Sequence, residues 1–405
     1  MRHSVQVVDG LSSKQIANTA DGQRGLVSKH LETRGREPVE SSVKVVDQAS
    51  SVEGMKIHDL RTPALLLDLE GMESNLHRMA RFFRGRPTKL RPHFKAHQTL
   101  FLASKQIQMG SIGISCARLE HAEALVRHGI QNILIANEIA GKYMIECFVE
   151  LSHYAPVVVA VDNPKVVCDM ARAAGERAHE LNVVVDLDVR LGRCGIRPGE
   201  AALSLTKLVL EKGLRFRGLM GYEGHIRVPP GPEKERVVHA ALKQLVDTKT
   251  MIEREGIPVE VVSCSGTSDY TIAGTFPGVT EIQAGSYLVM DSWYVSYAPE
   301  FRPTLTVLAT VISKTPGERI VVDAGAKAMS GENGLPSVKG IEGLRVKAMH
   351  VEHTLMEISD ASVSVDVGDK IEIWVRYLDP TLNLHSHMYG VRHGEVEKLL
   401  PIEHC

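Results

Sequence analysis

Residues 157–187, VVVAVDNPKVVCDMARAAGERAHELNVVVDL, contain the pattern that decides the fold. Two continuously apolar runs, VVVAV and VVVDL, have the length of buried strands, and a stretch with helical periodicity separates them. Continuously apolar strands joined through a helix are typical of parallel sheets that are covered on both faces. The segment therefore predicts a strand–helix–strand unit of an α/β protein.

The same pattern extends in both directions from this unit. Eight candidate strands can be counted: KLRPHFK (89–95), GISCA (113–117), NILIA (132–136), VVVAV (157–161), VVVDL (183–187), GLMGY (218–222), VEVVSC (259–264) and EIQAG (281–285). Eight apolar strands, each followed by a helix, favour a (β/α)8 barrel over an open doubly wound sheet, which periodicity alone leaves as the alternative.

The chain changes character on either side of the barrel. After about residue 298 strand-like runs replace helices, as in TLTVLATVISK, RIVVDAG and DKIEIWVRY, and they predict a β domain over residues 299–405. We assign the barrel to residues 57–298 and expect a strand near residues 57–66 to join the β domain. Residues 1–56 are polar and poorly periodic, and we expect them to be a flexible extension.

Composition excludes several classes of function. The 405-residue chain has 43% hydrophobic residues and a net charge of -2, which gives no reason to expect binding to nucleic acid or to an anionic membrane. No apolar run is long enough to span a membrane. The six cysteines show no paired spacing, which favours reduced structural thiols in a reducing compartment, so we expect a cytoplasmic protein.

Polar residues collect where the predicted strands end, which is where barrel enzymes place their active sites. The first strand runs into RPHFKAHQ, and alternation along an extended segment would put His93, Lys95 and His97 on one face. A lysine beside other cationic groups gives up its proton more readily, as a Schiff-base amine must. The alternative is a lysine at a solvated strand end.

Other strand ends suggest an anionic ligand. Arg193 follows the fifth strand in the turn GRCG, where it could reach a ligand oxygen or simply be a surface arginine. The sixth strand ends in GYEGH, which offers Tyr222. The seventh and eighth end in SGTSDY and QAGSY, whose glycines and hydroxyls can approach a phosphate closely. A phosphate site after strands 7 and 8 recurs in this type of barrel.

These motifs resemble the D-threonine aldolase and D-serine dehydratase family, which has the alanine-racemase-type fold (fold type III) and uses pyridoxal 5'-phosphate. The resemblance covers about residues 60–402. Its markers are TPALLLDLEGMESNL, RPHFKAH, GRCG, GYEGH, SGTSDY, EIQAGSYLVMD, VVDAGAKAMSGENGLP and DPTLNLHSHMYGVRHGEVE.

The resemblance implies a role for each matching residue. Lys95 would carry the cofactor as a Schiff base, Arg193 would bind its phenolic oxygen, and Tyr222 would line its ring. The phosphate would be held by Gly266, Thr267, Gly285, Ser286 and Tyr287. The family also implies a homodimer with the active site between the subunits, and a small amino acid as the substrate.

The chain departs from the family at the metal site. Relatives have a His-x-Asp or His-x-Cys pair before the Pro-Thr-x-Asn-Leu-His segment; here Asp379 matches the carboxylate ligand, but Tyr377 replaces the histidine. A neutral phenol is a poor divalent ligand. A metal (Mn, Mg or Zn) is thus bound weakly, bound by His353, His385 or His387 instead, or not needed.

The function implied by this resemblance is retro-aldol cleavage of D-β-hydroxy amino acids to glycine and an aldehyde, with His93 or a residue near Asp379 as the base. Three alternatives remain at this point. They are β-elimination as in D-serine dehydratases, racemisation or epimerisation using Lys95 and Tyr377, and cofactor binding without turnover.

Overall fold

A computed structural model describes residues 52–315, 319–360 and 362–404, all within one compact unit. Most of the predicted extension, residues 1–51, lies outside the described residues. The first regular elements are β1 (Ala64–Asp68) and α1 (Leu69–Phe83). Asp68 caps α1 by accepting hydrogen bonds from the backbone N–H groups of Glu70 and Gly71.

The next eight strands form one parallel sheet. They are β2 (Lys89–Leu90), β3 (Ile114–Cys116), β4 (Ile133–Glu138), β5 (Val157–Val161), β6 (Asn182–Leu187), β7 (Arg215–Gly221), β8 (Val261–Cys264) and β9 (Glu281–Ile282). Their order is β2-β9-β8-β7-β6-β5-β4-β3. The sheet curls until its two edges meet, where the N–H groups of Ile112 and Ser115 donate to the carbonyls of Leu90 and Pro92. The predicted barrel and all eight of its strands are confirmed.

Helices cover the outside of this barrel. They are α2 (Leu100–Gln108), α3 (Leu119–Arg127), α4 (Lys142–Tyr154), α5 (Pro164–Ala174), α6 (Glu200–Glu211), α7 (Pro232–Arg254) and the single turn α8 (Tyr270–Ala273). In α5 the Asn163 side chain accepts the Lys165 N–H at 2.9 Å, and Pro164 occupies the first turn, where no N–H is needed. Such a cap contributes about 1 kcal/mol.

The valine-rich strands are buried on both faces. In β5, Val158 and Ala160 pack with Leu134, Val184 and Met220 in a cluster of their own, while the remaining three residues of the strand join the main core. Because side chains alternate along a strand, one set fills the barrel and the other meets the helices. This two-sided burial explains the continuously apolar runs of the sequence.

The second sheet contains the C-terminal strands and β1. The strands are β10 (Leu305–Thr315), β11 (Arg319–Val322), β12 (Ser337–Val338), β13 (Leu344–Met349), β14 (Thr354–Ile358), β15 (Lys370–Trp374), β16 (His387–Arg392) and β17 (Glu395–Pro401), and α9 (Leu378–Leu382) interrupts them. β1 pairs with β10 in antiparallel fashion and with β16 in parallel fashion. The C-terminal β sheet is thus confirmed, and the exact domain boundaries stay a prediction.

Two further findings concern the described residues only. None of their helices combines the length and apolar character needed to cross a membrane. Their five cysteines form no disulfide bond with one another.

Candidate active site

A cavity of about 440 Å³ opens at the carboxyl ends of the barrel strands. One side, which we call the barrel wall, consists of His93, Lys95, Ala96, residues 264–268, Gln283, Gly285 and Ser286. The opposite side, which we call the α9 wall, consists of Trp293, Tyr377, Leu378 and Asp379. A larger cleft of about 740 Å³ along α1 is lined by several arginines and lacks strand-end residues. The strand-end cavity is therefore the candidate site.

Lys95 lies in this cavity on a turn of 3-10 helix, Phe94–Ala96. The turn is capped by His93, whose Nδ1 accepts the backbone N–H of Lys95 at 3.3 Å. Lys95 Nζ lies 3.3 Å from Asp379 Oδ2, with 48% of the lysine side chain exposed. Lys95 thus faces a carboxylate from the α9 wall.

The expected alignment of His93, Lys95 and His97 on one face is wrong. The strand is only two residues long, and Pro92 has no N–H with which to continue the ladder, so the chain turns instead of extending. His93 and Lys95 reach the cavity, whereas His97 is fully buried behind it. There His97 Nε2 lies 3.1 Å from Gln106 Oε1, and burial lowers the pKa of His97 to about 4.

His93 is neutral at physiological pH. Burial, followed by the charge of Lys95, holds the pKa of His93 well below its usual value. Because Nδ1 accepts the Lys95 N–H, the proton of the neutral ring is on Nε2. His93 can therefore donate a hydrogen bond from Nε2, and it has no free basic nitrogen while this arrangement holds.

The predicted phosphate residues come together on the barrel wall, with one exception. Gly266, Thr267, Gly285 and Ser286 all line the cavity. A Cβ on Gly285 would lie 2.5 Å from the carbonyl oxygen of His93, so only glycine allows the two strand ends to approach this closely. Tyr287 does not line the cavity: its backbone N–H donates to Thr267 Oγ1 and its hydroxyl accepts from Gln106.

A buried ion pair supports the loop that follows β8. Asp269, directly after the Gly266–Thr267 turn, lies 3.2 Å from Lys234 Nζ on α7, and both side chains are almost fully buried. Glu223 is also buried there, and burial followed by the charge of Asp269 raises the pKa of Glu223. The Lys234–Asp269 ion pair therefore holds the loop, and the sequence analysis singled out neither of its residues.

Arg193 and Tyr222 share one end of the cavity. The Arg193 guanidinium carbon lies 5.7 Å from the centre of the Tyr222 ring. Burial, followed by the charge of Glu223, raises the pKa of Tyr222, so its phenol is protonated. Cys194 also lines the cavity, and burial raises the pKa of its thiol to about 11, which keeps it unreactive.

The α9 wall is built differently from the strand expected there. Leu378–Leu382 is a short helix preceded by extended Tyr377, and Pro380 falls in its first turn, where the missing N–H is not needed. Tyr377 and Asp379 nevertheless both reach the cavity. The Tyr377 ring meets the Trp293 ring edge-on at 5.8 Å. Burial, followed by the charge of Asp379, raises the pKa of Tyr377.

Asp291 holds the α9 wall together. Its carboxylate accepts the backbone N–H groups of Trp293, Tyr294 and Leu378 at 3.1, 2.6 and 2.9 Å. Burial raises the pKa of Asp291 to about 6 despite these bonds. Asp291 stands in the motif EIQAGSYLVMD, but its partner at residue 378 is distant in sequence, so no local signal revealed this role.

The histidines considered as replacement metal ligands do not gather at Asp379. His385 Nε2 bonds the Ala328 carbonyl at 2.7 Å, His387 Nδ1 bonds Ser386, and His353 is exposed on a loop between strands. Within residues 52–404, as far as the structure describes them, no three His, Cys, Asp or Glu side chains form a group that could hold a metal ion. The residues present therefore do not fit a metal centre.

Further acidic residues at the strand ends were missed. Glu138 ends β4, Asp162 follows β5, and Asp186 lies in β6. Burial, followed by the charge of Glu138, raises the pKa of Asp186. Applying the strand-end rule to the third and fourth predicted strands as well would have found Glu138 and Asp162, whereas Asp186 lies within the fifth strand, whose end had already been considered.

Comparisons with known proteins agree with this geometry. Residues 67–292 match the family model "Alanine racemase, N-terminal domain", and residues 304–391 match "Putative serine dehydratase domain". A D-threonine aldolase from an Arthrobacter species is 32% identical over 84% of this chain and 92% of its own. A 3-hydroxy-D-aspartate aldolase from Paracoccus denitrificans is 31% identical over 87% of this chain and 94% of its own.

A solved structure has the same fold. The crystal structure of D-threonine aldolase from Filomicrobium marinum superposes with a TM-score of 0.82 at 32% identity, covering 86% of this chain and 97% of that protein.

Proposed function

Because this chain belongs to the alanine racemase-fold family that includes the D-threonine aldolases, we propose that it is a pyridoxal phosphate-dependent lyase. Its reaction is the cleavage of D-β-hydroxy amino acids to glycine and an aldehyde. The observation that carries the proposal is the pairing of Lys95 with Asp379 inside the cavity: a lysine for the cofactor and a carboxylate for the substrate, 3.3 Å apart.

The described residues fit pyridoxal phosphate. Lys95 is the lysine of the cavity lining, and the glycine and hydroxyl residues predicted for the phosphate lie on the same wall. A Cβ on Gly266 would come no closer to another residue than 3.6 Å, from the Tyr222 ring, so the backbone here leaves space that a phosphate can occupy. Bound there, the cofactor supplies an electron sink for the pair released at the substrate Cα.

Asp379 is our candidate for the base. One of its oxygens, Oδ2, faces Lys95 Nζ, and the other, Oδ1, is buried without a hydrogen-bond partner. A buried oxygen without a hydrogen-bond partner is stabilised when it accepts a proton or a hydrogen bond from a hydroxyl group. His93 was the other candidate; because its free Nε2 carries the ring proton, His93 suits a hydrogen-bond donor to the ligand instead.

The positions of Asp379 and Lys95 allow a single proton to pass from the substrate β-hydroxyl to Cα. Asp379 takes the proton from the β-hydroxyl while the Cα–Cβ bond breaks, and the aldehyde leaves. Lys95 Nζ, when it is not bonded to the cofactor, is within reach of Asp379 Oδ2 and can pass the proton to Cα, which becomes the methylene of glycine. The proton lost by the hydroxyl is the proton gained by Cα, so the step balances without a metal.

The protonation state of Tyr377 distinguishes between racemisation and dehydration. Racemisation would need a phenolate base, and burial together with the Asp379 charge opposes its formation by raising the pKa of Tyr377. A protonated phenol could instead donate to a departing hydroxide. Dehydration is therefore the second candidate, and the match of residues 304–391 to a serine dehydratase domain supports keeping it.

The assembly and compartment are also proposals. We propose a homodimer, since the family resemblance implies an active site between two subunits; exposed Leu384, directly beyond α9, is available for such a contact. A cytoplasmic location is supported by described cysteines that form no disulfide bond with one another.

One assay panel tests the reaction class. The cofactor-loaded protein is incubated with D-threonine, 3-hydroxy-D-aspartate, D-serine and D-alanine, each with and without EDTA. We expect equal amounts of aldehyde and glycine, insensitive to EDTA. Ammonia with an oxo acid would show dehydration, a change of optical rotation without products would show racemisation, and no change with any substrate would overturn the proposed function.

A further inference from the structure

Arg227 is a cation of the cavity that has no anionic partner. It follows β7 on the loop before α7, and its side chain lines the cavity and is exposed. Within the described part of the chain it makes no ion pair and no side-chain hydrogen bond. Its contact is with Trp293: the guanidinium carbon lies 5.1 Å from the centre of that ring.

The carboxylates of the cavity lining are already engaged. Asp291 accepts three backbone N–H groups, and Asp379 faces Lys95. Exposed Glu332 lies close enough to act on Tyr377 electrostatically, as Arg227 also does, but it forms no ion pair with Arg227. Arg227 is therefore left with its full capacity to bind an anion that enters the cavity.

Trp293 fixes where this cation lies. Its backbone N–H is held by Asp291, and its ring meets Tyr377 edge-on at 5.8 Å while Arg227 stacks on it. A cation over a tryptophan face is attracted by the negative face of the ring. Arg227, Trp293 and Tyr377 thus form a continuous surface that leads from the rim of the cavity to Asp379.

The direction of this surface indicates which substrate group it meets. If Asp379 takes the β-hydroxyl proton, Cβ lies against the α9 wall, and the remaining substituent of Cβ points along Tyr377 toward Arg227. The α-carboxylate is bonded to Cα, on the Lys95 side. We therefore propose, on the basis of the proposed function, that Arg227 binds a carboxylate on the substrate side chain and makes the enzyme selective for anionic D-β-hydroxy amino acids.

The test compares two substrates that differ at one group. D-threonine has a methyl group where 3-hydroxy-D-aspartate has a carboxylate. In the cofactor-loaded enzyme Arg227→Met should lower kcat/KM for 3-hydroxy-D-aspartate by about 10- to 100-fold, the range of a charge-assisted hydrogen bond. The kcat/KM for D-threonine should change less than about 3-fold, within the range of a surface substitution.

Three further variants separate the positioning of Arg227 from general damage to the enzyme. Trp293→Leu should reproduce part of the loss for 3-hydroxy-D-aspartate, because it removes the ring that holds Arg227. Arg197→Met is the matched control: Arg197 is an exposed arginine on the loop after β6 that does not line the cavity, so both substrates should react as before. Arg227→Lys should retain part of the selectivity.

A binding measurement tests the role of Arg227 independently of which reaction the enzyme catalyses. D-aspartate has the side-chain carboxylate but no β-hydroxyl, so it cannot be cleaved; D-alanine lacks both groups. Arg227→Met should weaken D-aspartate binding to the holoenzyme and leave D-alanine binding unchanged, even if the wild type cleaves nothing. The role of Arg227 would be overturned if kcat/KM fell equally for 3-hydroxy-D-aspartate and D-threonine, or if binding weakened equally for D-aspartate and D-alanine. It would also be overturned if the anionic compound of either pair showed no loss.

Discussion

The two walls of the cavity are built on different principles. The barrel wall lies at the ends of β2, β8 and β9, and the parallel ladder positions its residues. The α9 wall is held by side chains, chiefly Asp291 through Leu378 and Thr381 through Ser330. The first wall follows from the barrel itself, whereas the second depends on a few hydrogen bonds between distant segments.

This difference suggests how chemistry is divided between the walls. The barrel wall carries the residues predicted for the cofactor, which any enzyme of this fold must hold in one place. The α9 wall carries Asp379, which matches the family motif, and Tyr377, which departs from it. A wall held by side chains can change its residues without disturbing the ladder, so selection of the reaction can be adjusted separately from cofactor binding.

The largest effect is expected at the barrel wall. Lys95→Ala should abolish the cofactor's protein-bound absorbance band and lower activity by at least about 10³-fold, since the cofactor loses its attachment. Borohydride reduction of the wild type followed by peptide mapping checks the site. Labelling of another lysine would contradict it, and unchanged far-UV circular dichroism of the variant serves as the folding control.

The corresponding test of the α9 wall is Asp379→Asn. Loss of the base should lower kcat by about 10²- to 10⁴-fold, while the cofactor stays bound because its predicted contacts are on the barrel wall. Activity and the absorbance band are measured on the same sample. If the variant retains more than a tenth of the activity, Asp379 is not the base; if the band is lost as well, the two walls are not independent.

The pH dependence of stability tests whether the region behind the barrel wall, where His97 lies, excludes water. The pKa of buried His97 is lowered from 6.5 to about 4, so the unfolded chain takes up a proton in this range before the folded one does. The neutral ring of His97 therefore contributes fully to the free energy of unfolding above pH 6.5. About 3 kcal/mol of this contribution is lost as the pH falls toward 4.

The measurement is urea denaturation between pH 7 and 4. His97→Gln removes the titrating group, so its free energy of unfolding should fall less steeply with pH than that of the wild type. Comparing slopes cancels the contributions of carboxylates shared by both proteins. Parallel curves would mean that His97 is hydrated, and that the turn at Phe94–Ala96 does not bury it.

The smallest effect is expected at Tyr377. With its phenol protonated, Tyr377→Phe removes at most one hydrogen bond, so aldol cleavage should fall by about 2- to 10-fold. Tyr377→His should raise metal affinity by at least about 10-fold, because imidazole is the better ligand. Metal content and EDTA sensitivity are measured for both variants.

Two results at Tyr377 would change the conclusions. Loss of α-hydrogen exchange in Tyr377→Phe, with the cofactor still bound, would make Tyr377 a proton-transfer base and favour the racemase alternative. Strong EDTA inhibition of the wild type, together with an inert Tyr377→Phe, would show that a metal site forms that the described side chains do not suggest.

Sequence patterns predicted the barrel wall well, with an instructive error. The apolar runs located all eight strands, and the strand-end rule located Lys95, Arg193 and the glycines that line the cavity. The error lay between them: alternation was extended past Pro92 into a turn, which misplaced His97. Periodicity describes a strand and gives no information about where a strand stops.

The α9 wall was predicted less well, for a different reason. Asp379 and Tyr377 were found by comparison with a motif, but their helical setting and the roles of Asp291, Trp293 and Arg227 were not. These residues contact each other across about 60 to 150 positions of the chain, as between Arg227 and Trp293 or between Arg227 and Tyr377. Local patterns cannot register contacts over such separations.

The sequence by itself determined the order of strands and helices, their parallel α/β arrangement and the lysine after the first strand, whereas the tertiary structure decided that the sheet closes into a barrel. The features that the sequence determined follow from burial and hydrogen bonding within neighbouring segments, which leave a periodic trace in the residues. Only the tertiary structure decided that Asp379 lies 3.3 Å from Lys95 and that Arg227 lies over Trp293 without an anionic partner. Such contacts arise when β1 and the C-terminal strands pack as one sheet and bring α9 to the mouth of the barrel, an arrangement that depends on the whole chain.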